Sequence, residues 1–222
     1  RDNIDTLRAR TPARYPIRNY ADICHTLRFQ YPVPKWDMTL ALTLGREFVN
    51  PRPRDEKHIH NLYCRYMVGS VCYSEGINDD LNKFIWLDQE WNPDTPVEQT
   101  LREYGRFFID CAAEEDIAAG MLLLEDNLRG EFATNSSVEN AYRLWCGLED
   151  RLTGYARDNY RLELHLLRAC FDYYQQRRYA YEHAFEDEAM QVLAAITPDT
   201  ADACMARAAE ILNTARTPRL LP

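Results

Sequence analysis

Apolar positions in the C-terminal half of the chain recur with a helical period. Val97, Leu101, Tyr104 and Phe108 run at i, i+4, i+7 and i+11, and Ile117, Met121, Leu124 and Leu128 repeat that spacing. Ala141, Leu144, Trp145, Leu148 and Leu152 form a third stripe, and Tyr160, Leu164, Leu167, Phe171 and Tyr174 a fourth. Val192, Leu193 and Ile196 begin a shorter fifth. Each predicts a helix that buries one face, because an apolar helical stripe must pack on something. The prolines agree. They fall at 12, 16, 32, 34, 51, 53, 93, 96 and 198, with two more closing the C-terminus, and none lies between Val97 and Thr197. Thr95-Pro96-Val97-Glu98 reads as a capping box, with threonine at the N-cap, proline at N1 and glutamate at N3. Ser136-Ser137-Val138-Glu139 offers a second. Residues 93–222 are therefore expected to form a helical C-terminal domain.

Residues 1–92 carry a different pattern. Tyr20 to His25 predicts a short strand, followed by a stretch from Thr26 to Pro53 that is expected to be irregular. Ile59, Leu62, Tyr63, Tyr66 and Met67 then keep helical spacing. Val68 to Tyr73 is a second, apolar strand expected to be buried. Leu81, Phe84, Ile85 and Trp86 predict another helix, with Asp79 and Asp80 at its positive end. The order is strand, long loop, helix, strand, short loop, helix. Two βα units of this kind require parallel strands joined by a crossover helix. A closed (β/α)₈ barrel takes about 250 residues, so either this segment holds the terminal βα units of a (β/α)₈-type barrel whose other strands are expected upstream of Arg1, which is the favoured expectation, or it is not barrel-like at all. The fold expected is mainly α.

Charge and composition narrow the partners. The chain of 222 residues carries a formal charge of −9 and is 46% hydrophobic and 27% charged, which is globular rather than disordered. Its acidity argues against a nucleic-acid partner held by phosphate neutralisation. No apolar run approaches the roughly 20 residues of a membrane helix, so no membrane span is expected. The seven cysteines include no CxxC and no zinc-ligand pair, a scatter that fits reduced thiols better than a disulfide framework. The cytoplasm is the compartment this favours, with periplasmic or secreted as the alternative. His58 and His60 sit two apart on a helix and face different ways, so they make no metal pair. No Gly-rich phosphate loop is present. No metal or cofactor is therefore expected. Asn135-Ser136-Ser137 matches a glycosylation acceptor, but the same serines can cap a helix.

In parallel α/β folds the functional groups gather at the carboxy-terminal ends of the strands. The first end presents Asp22 and His25 and opens into a loop with Arg28, Gln30, Tyr31, Trp36, Arg46 and Glu47. The second presents Tyr73, Ser74, Glu75 and Gly76, then Asn78. Glu75 follows an apolar strand directly and precedes glycine, which would hold its carboxylate at the rim of the sheet; an arginine partner or plain exposure would explain it equally well. Asp79 and Asp80 fit helix N-terminal acids better than catalysts. Aromatic faces with carboxylate, amide and guanidinium groups are what a carbohydrate site requires. Glycosidic cleavage then calls for two carboxyl groups, about 5–5.5 Å apart when retaining and about 6.5–9.5 Å when inverting. Glu75 with Glu47, or Glu75 with Asp22, are the candidate pairs. His25, Arg28, Gln30, Tyr31, Trp36, Arg46, Tyr73 and Asn78 are candidates for binding the carbohydrate substrate.

Several short motifs carry a resemblance. Asp22-Ile23-Cys24-His25 through Gln30-Tyr31-Pro32-Val33, with Gly45-Arg46-Glu47 and Asn50-Pro51-Arg52-Pro53, resembles the late barrel region of bacterial glycoside-hydrolase-like proteins. Tyr73-Ser74-Glu75-Gly76, Asn78 to Lys83, Trp91-Asn92-Pro93-Asp94 and Leu101 to Phe108 fit the same picture. The likeness is to α-glucuronidase-like and β-hexosaminidase-like barrels, in which a helical C-terminal domain packs beside the catalytic barrel, and it covers about residues 12–130. It implies a glycosidase of polysaccharide or glycan breakdown. Acid/base carboxylates in such barrels commonly sit on middle strands that this chain lacks, so Glu75 and His25 would then line the sugar subsite without moving the protons. The rival expectation is a noncatalytic carbohydrate-binding or helical scaffold module.

Overall fold

The structure, a computed structural model, describes residues 2–24, 49–74 and 80–215. It is mainly α. Helix α1 (Asp2–Arg10) leads into strand β1 (Asn19–Cys24), then α2 (Pro53–Tyr63) with a 3₁₀ turn at Cys64–Tyr66, and strand β2 (Ser70–Ser74). Next come α3 (Asp80–Trp91), α4 (Val97–Phe108), α5 (Glu114–Asp126), α6 (Ser136–Arg151), α7 (Tyr160–Ala194) and α8 (Ala201–Thr214). From α4 onward, each helix packs on the next in sequence.

The main core is continuous from α3 to α7. Leu81 and Ile85 of α3 share one cluster with Val97, Leu101 and Tyr104 of α4, Ile117, Met121 and Leu124 of α5, and Trp145 and Leu148 of α6. The apolar cluster thus runs across position 92. Gly120 explains the close fit of α5 on α6: a Cβ there would stand 2.8 Å from both Leu144 Cδ2 and Trp145 Cε2. The first three predicted stripes are the buried faces of α4, α5 and α6, except that Leu128 lies beyond α5 and is exposed, and Leu152, though buried, is the residue after α6.

The fourth stripe is displaced. Helix α7 buries Leu162, His165, Arg168, Ala169 and Asp172, while Tyr160 is 39% exposed. Apolarity misplaces this face because the polar groups on it are satisfied internally. Arg168 Nε donates to both Asp172 oxygens at 2.8 and 2.9 Å, and Asn127 Nδ2 donates to Asp172 Oδ2 at 2.9 Å. The fifth stripe starts no new helix. With no glycine or proline between Tyr160 and Ala194, α7 runs unbroken for 35 residues, about 52 Å, and includes Val192 and Leu193. The preference of the residue before Pro198 for extended backbone helps end it. Its distal part packs on α8 through a separate small cluster of Ala189, Ala208 and Ile211.

Both capping boxes are corrected. Pro96, not Thr95, occupies the N-cap of α4, and no side chain caps it. The Thr95 carbonyl instead accepts from Lys57 Nζ at 2.6 Å and Gln89 Nε2 at 3.1 Å. At α6 the cap is Asn135, whose Oδ1 accepts from Ser137 N at 2.9 Å. Its Nδ2 donates to the Asp126 and Arg129 carbonyls at 2.8 and 3.1 Å.

The two strands pair in parallel, as the βα order requires, with Asn19 opposite Ser70, Asp22 opposite Tyr73 and Cys24 opposite Ser74, and an irregularity between Asp22 and Cys24. Strand β2 is later and more open than expected. It starts at Ser70, leaves Val68 75% exposed outside it, and alternates between half-buried and exposed positions. The reason is that, among the described residues, one face alone is covered: Ala21, Ile23 and Cys72 pack against Trp86 of α3. Helix α2 also departs from its apolar pattern. It stops at Tyr63, exposes Ile59 and buries Pro53, Glu56 and His60. Burying these polar side chains is tolerable because Glu56 pairs with Arg52 at 3.2 Å and His60 lies against Glu90 and the edge of Trp86.

Candidate functional site

Parallel pairing in this register sets the two strand ends side by side, pointing the same way. Along β1 the side chains alternate between faces: Ala21 and Ile23 turn inward to Trp86, so Tyr20 and Asp22 turn outward. On β2, Cys72 turns inward while Val71 and Tyr73 turn outward. The outer face therefore gathers Tyr20, Asp22, Val71 and Tyr73. The rings of Tyr20 and Tyr73 stack across the strands, with centroids 6.3 Å apart and planes 27° from parallel. Asp22 lies directly opposite Tyr73 and is exposed.

The carboxy-terminal end of β1 is held from the side. Arg52 Nη2 donates to the Ile23 carbonyl at 2.8 Å, and the Arg52 backbone N–H donates to Asn82 Oδ1 at 2.9 Å. Asn82 Nδ2 in turn donates to the Asn50 carbonyl at 2.8 Å. Beyond it, Arg168 Nη1 donates to the Val49 carbonyl at 3.0 Å. A chain of polar contacts thus ties the strand end through residues 49–52 to α3 and α7. Glu125 acts at the start of the same crossover helix. Its buried Oε1 accepts from the N–H groups of Arg54 and Asp55 at 3.0 and 3.1 Å, capping α2 from α5. Burial raises the Glu125 carboxyl above its usual range, against the pull of those N–H donors and of Arg129 and Arg54.

Other titratable groups are structural. Asp80, the first residue of α3, accepts from the Tyr104 hydroxyl at 2.6 Å and from Arg161 Nε at 2.8 Å, which joins α3, α4 and α7. Burial next to that carboxylate pushes the Tyr104 phenol far above its ordinary value. Burial raises Cys72 to about 11, so this thiol beneath the sheet stays protonated. Among the described residues no group of three or more His, Cys, Asp or Glu side chains is placed to hold a metal. No described helix is long and apolar enough to cross a membrane.

Of the candidate residues, the structure describes Asp22 and Tyr73 and brings them together. Glu75, Glu47, His25, Arg28, Gln30, Tyr31, Trp36, Arg46 and Asn78 lie outside the described residues. Tyr20 and Arg52 are additions to the sequence-based set. Tyr20 was legible in the strict alternation Tyr20-Ala21-Asp22-Ile23, which puts it on the face of Asp22. Arg52 had no such signal, since its role depends on a fold-back onto the Ile23 carbonyl. No family model, curated protein or solved structure matches this chain.

Proposed function

We propose that the chain is a glycoside-hydrolase-like protein in which a sugar lies over the outer face of the β1–β2 pair. The observation that carries this reading is the stacked pair Tyr20 and Tyr73, 58% and 37% exposed, with Asp22 opposite Tyr73. Flat rings supply an apolar surface for sugar C–H groups, and a carboxylate beside them accepts from hydroxyls. The parallel pairing of β1 and β2 fits the last βα units of a (β/α)₈-type barrel. Where the full barrel is present, hydrolysis would run through two carboxyl groups, Glu75 with Glu47 or Asp22, one protonating the leaving oxygen and the other serving as nucleophile or activating water.

The test is a glycan array and a chromogenic glycoside screen on the longest chain that contains these residues. Tyr20→Ala and Tyr73→Ala should each weaken glycan binding about 3–10-fold, the worth of one aromatic contact. Glu75→Gln should lower hydrolysis on the order of 10²-fold or more while leaving binding in place. Unchanged binding in both tyrosine variants together with unchanged hydrolysis in Glu75→Gln would end the proposal. A second reading, the scaffold module, has its own support: parallel sheets normally have both faces covered. It gains if the tyrosine variants leave glycan binding intact and shift the mass of a protein assembly.

A further inference from the structure

Helices α6 and α7 pack antiparallel, and two ring pairs fix their register. Trp145 stacks on His165 with centroids 5.1 Å apart, and Tyr142 stacks on Tyr173 at 4.3 Å with planes only 6° from parallel. Moving back along α6 from Trp145 to Tyr142 therefore moves forward along α7 from His165 to Tyr173. One turn past Tyr142 on α6 stands Cys146, and one turn before Tyr173 on α7 stands Cys170. The register sets the two thiols facing each other, and they interact directly across the interface. Both are free and only partly buried. Cys24, Cys64, Cys72 and Cys204 belong to other elements, and Cys111 lies between α4 and α5.

We propose that Cys146 and Cys170 form a disulfide that clamps α6 to α7. The oxidant is a small-molecule disulfide of the glutathione class. One cysteine, as thiolate, attacks a sulfur of that disulfide, forming a mixed disulfide and releasing one small thiolate. The second cysteine thiolate then displaces the remaining small thiolate. The two cysteines lose two electrons and two protons, which leave as two small-molecule thiols, so the exchange balances. Burial pushes Cys170 up to about 12 and also raises Cys146, so neither thiol is a fast nucleophile at neutral pH. The bridge is therefore a slow structural clamp rather than a rapid redox switch. It anchors α7 just before Gln176, whose Nε2 donates to the Phe132 and Asn135 carbonyls at 2.7 and 2.9 Å.

The test incubates the full chain with oxidised glutathione at mildly alkaline pH, blocks remaining thiols, and maps tryptic peptides without reductant. The expected product joins the peptide 144–151 to the peptide 169–177, two hydrogens lighter than their sum. The Tm of the oxidised protein should rise by roughly 5–10 °C and fall back on reduction, as closing a loop of this size predicts. The Cys170→Ser variant should show neither the linked peptide nor the rise. Recovery of both cysteines fully alkylated after oxidation would overturn the proposal. So would linkage of Cys146 to other cysteines as often as to Cys170.

Discussion

In the helical region Leu101, Ile117, Met121, Trp145 and Leu148 are each fully enclosed, whereas the strand pair buries Ala21 and Ile23 and leaves Tyr20, Val71 and Tyr73 open. The helices contribute residues from five elements to one cluster, so removing any single contact leaves most of the cluster intact. Among the described residues the strands rest on one indole, and their placement depends on side-chain hydrogen bonds from Arg52, Asn82 and Arg168. The contrast shows how a rigid body can present an open surface. Apolar burial supplies the stability, while polar contacts set where the strand ends point.

The most severe test of that division is at its junction. Asp172→Ala strips Arg168 of its carboxylate and leaves a buried guanidinium, and it takes the acceptor from Asn127. A loss of about 3–5 kcal/mol is expected in denaturant unfolding. The double variant Arg168→Met with Asp172→Leu should recover most of it, since an apolar pair of similar volume replaces the desolvated ions. It still removes the donor to the Val49 carbonyl, so amide exchange at Arg52 should remain faster than in the wild type. Full restoration of that protection would show that Arg168 does not position the strand end.

A pH titration separates the regions with a somewhat smaller effect. His165 is enclosed against Trp145, its Nδ1 lies 2.6 Å from the Arg161 carbonyl, and burial pushes its pKa down to about 4. Because a carbonyl only accepts, Nδ1 carries the proton and Nε2 is bare. Between about pH 4 and the unfolded value near 6.5 the unfolded chain binds the extra proton. Stability therefore falls as pH drops through that window and is flat above it, with a full span of about 3 kcal/mol. His165→Gln should abolish most of this slope. A slope as steep in the variant as in the wild type would assign it to other groups.

How much of this was legible depends on which chemistry filled the buried face. The stripes of α4, α5 and α6 are apolar, and periodicity alone located them. In α7 the same reasoning chose Leu164, Leu167 and Phe171, because His165, Arg168 and Asp172 look like surface residues until their partners on other helices are known. The face of α2 was missed for the same reason, since Glu56 and His60 are buried only in the company of Arg52 and Glu90. Parallel pairing followed from the βα order, and the outward set of Tyr20, Asp22 and Tyr73 from alternation. That β2 would stay half open did not follow, because an apolar strand reads the same whether one face or both are covered.

The two tryptophans buried among the described residues offer the finest test of the contrast. Trp86 Nε1 donates to Ser70 Oγ at 2.7 Å, and Ser70 in turn hydrogen-bonds to Glu90, so this indole is stitched to the start of β2. Trp145 Nε1 is buried with no hydrogen-bond partner among the described residues, and its ring packs on His165. Trp86→Phe therefore removes one hydrogen bond, worth about 1 kcal/mol, along with some ring volume. The cost should appear as lost amide protection in β1 and β2, with protection in α5 and α6 unchanged. Trp145→Phe removes no hydrogen bond and should lower protection across α5, α6 and α7 together, since its ring touches the core of all three. If Trp86→Phe instead loosened the helices as much as the strands, the pair would be part of the same cooperative unit. The polar contacts would then be redundant with the core rather than the means by which the strand ends are aimed.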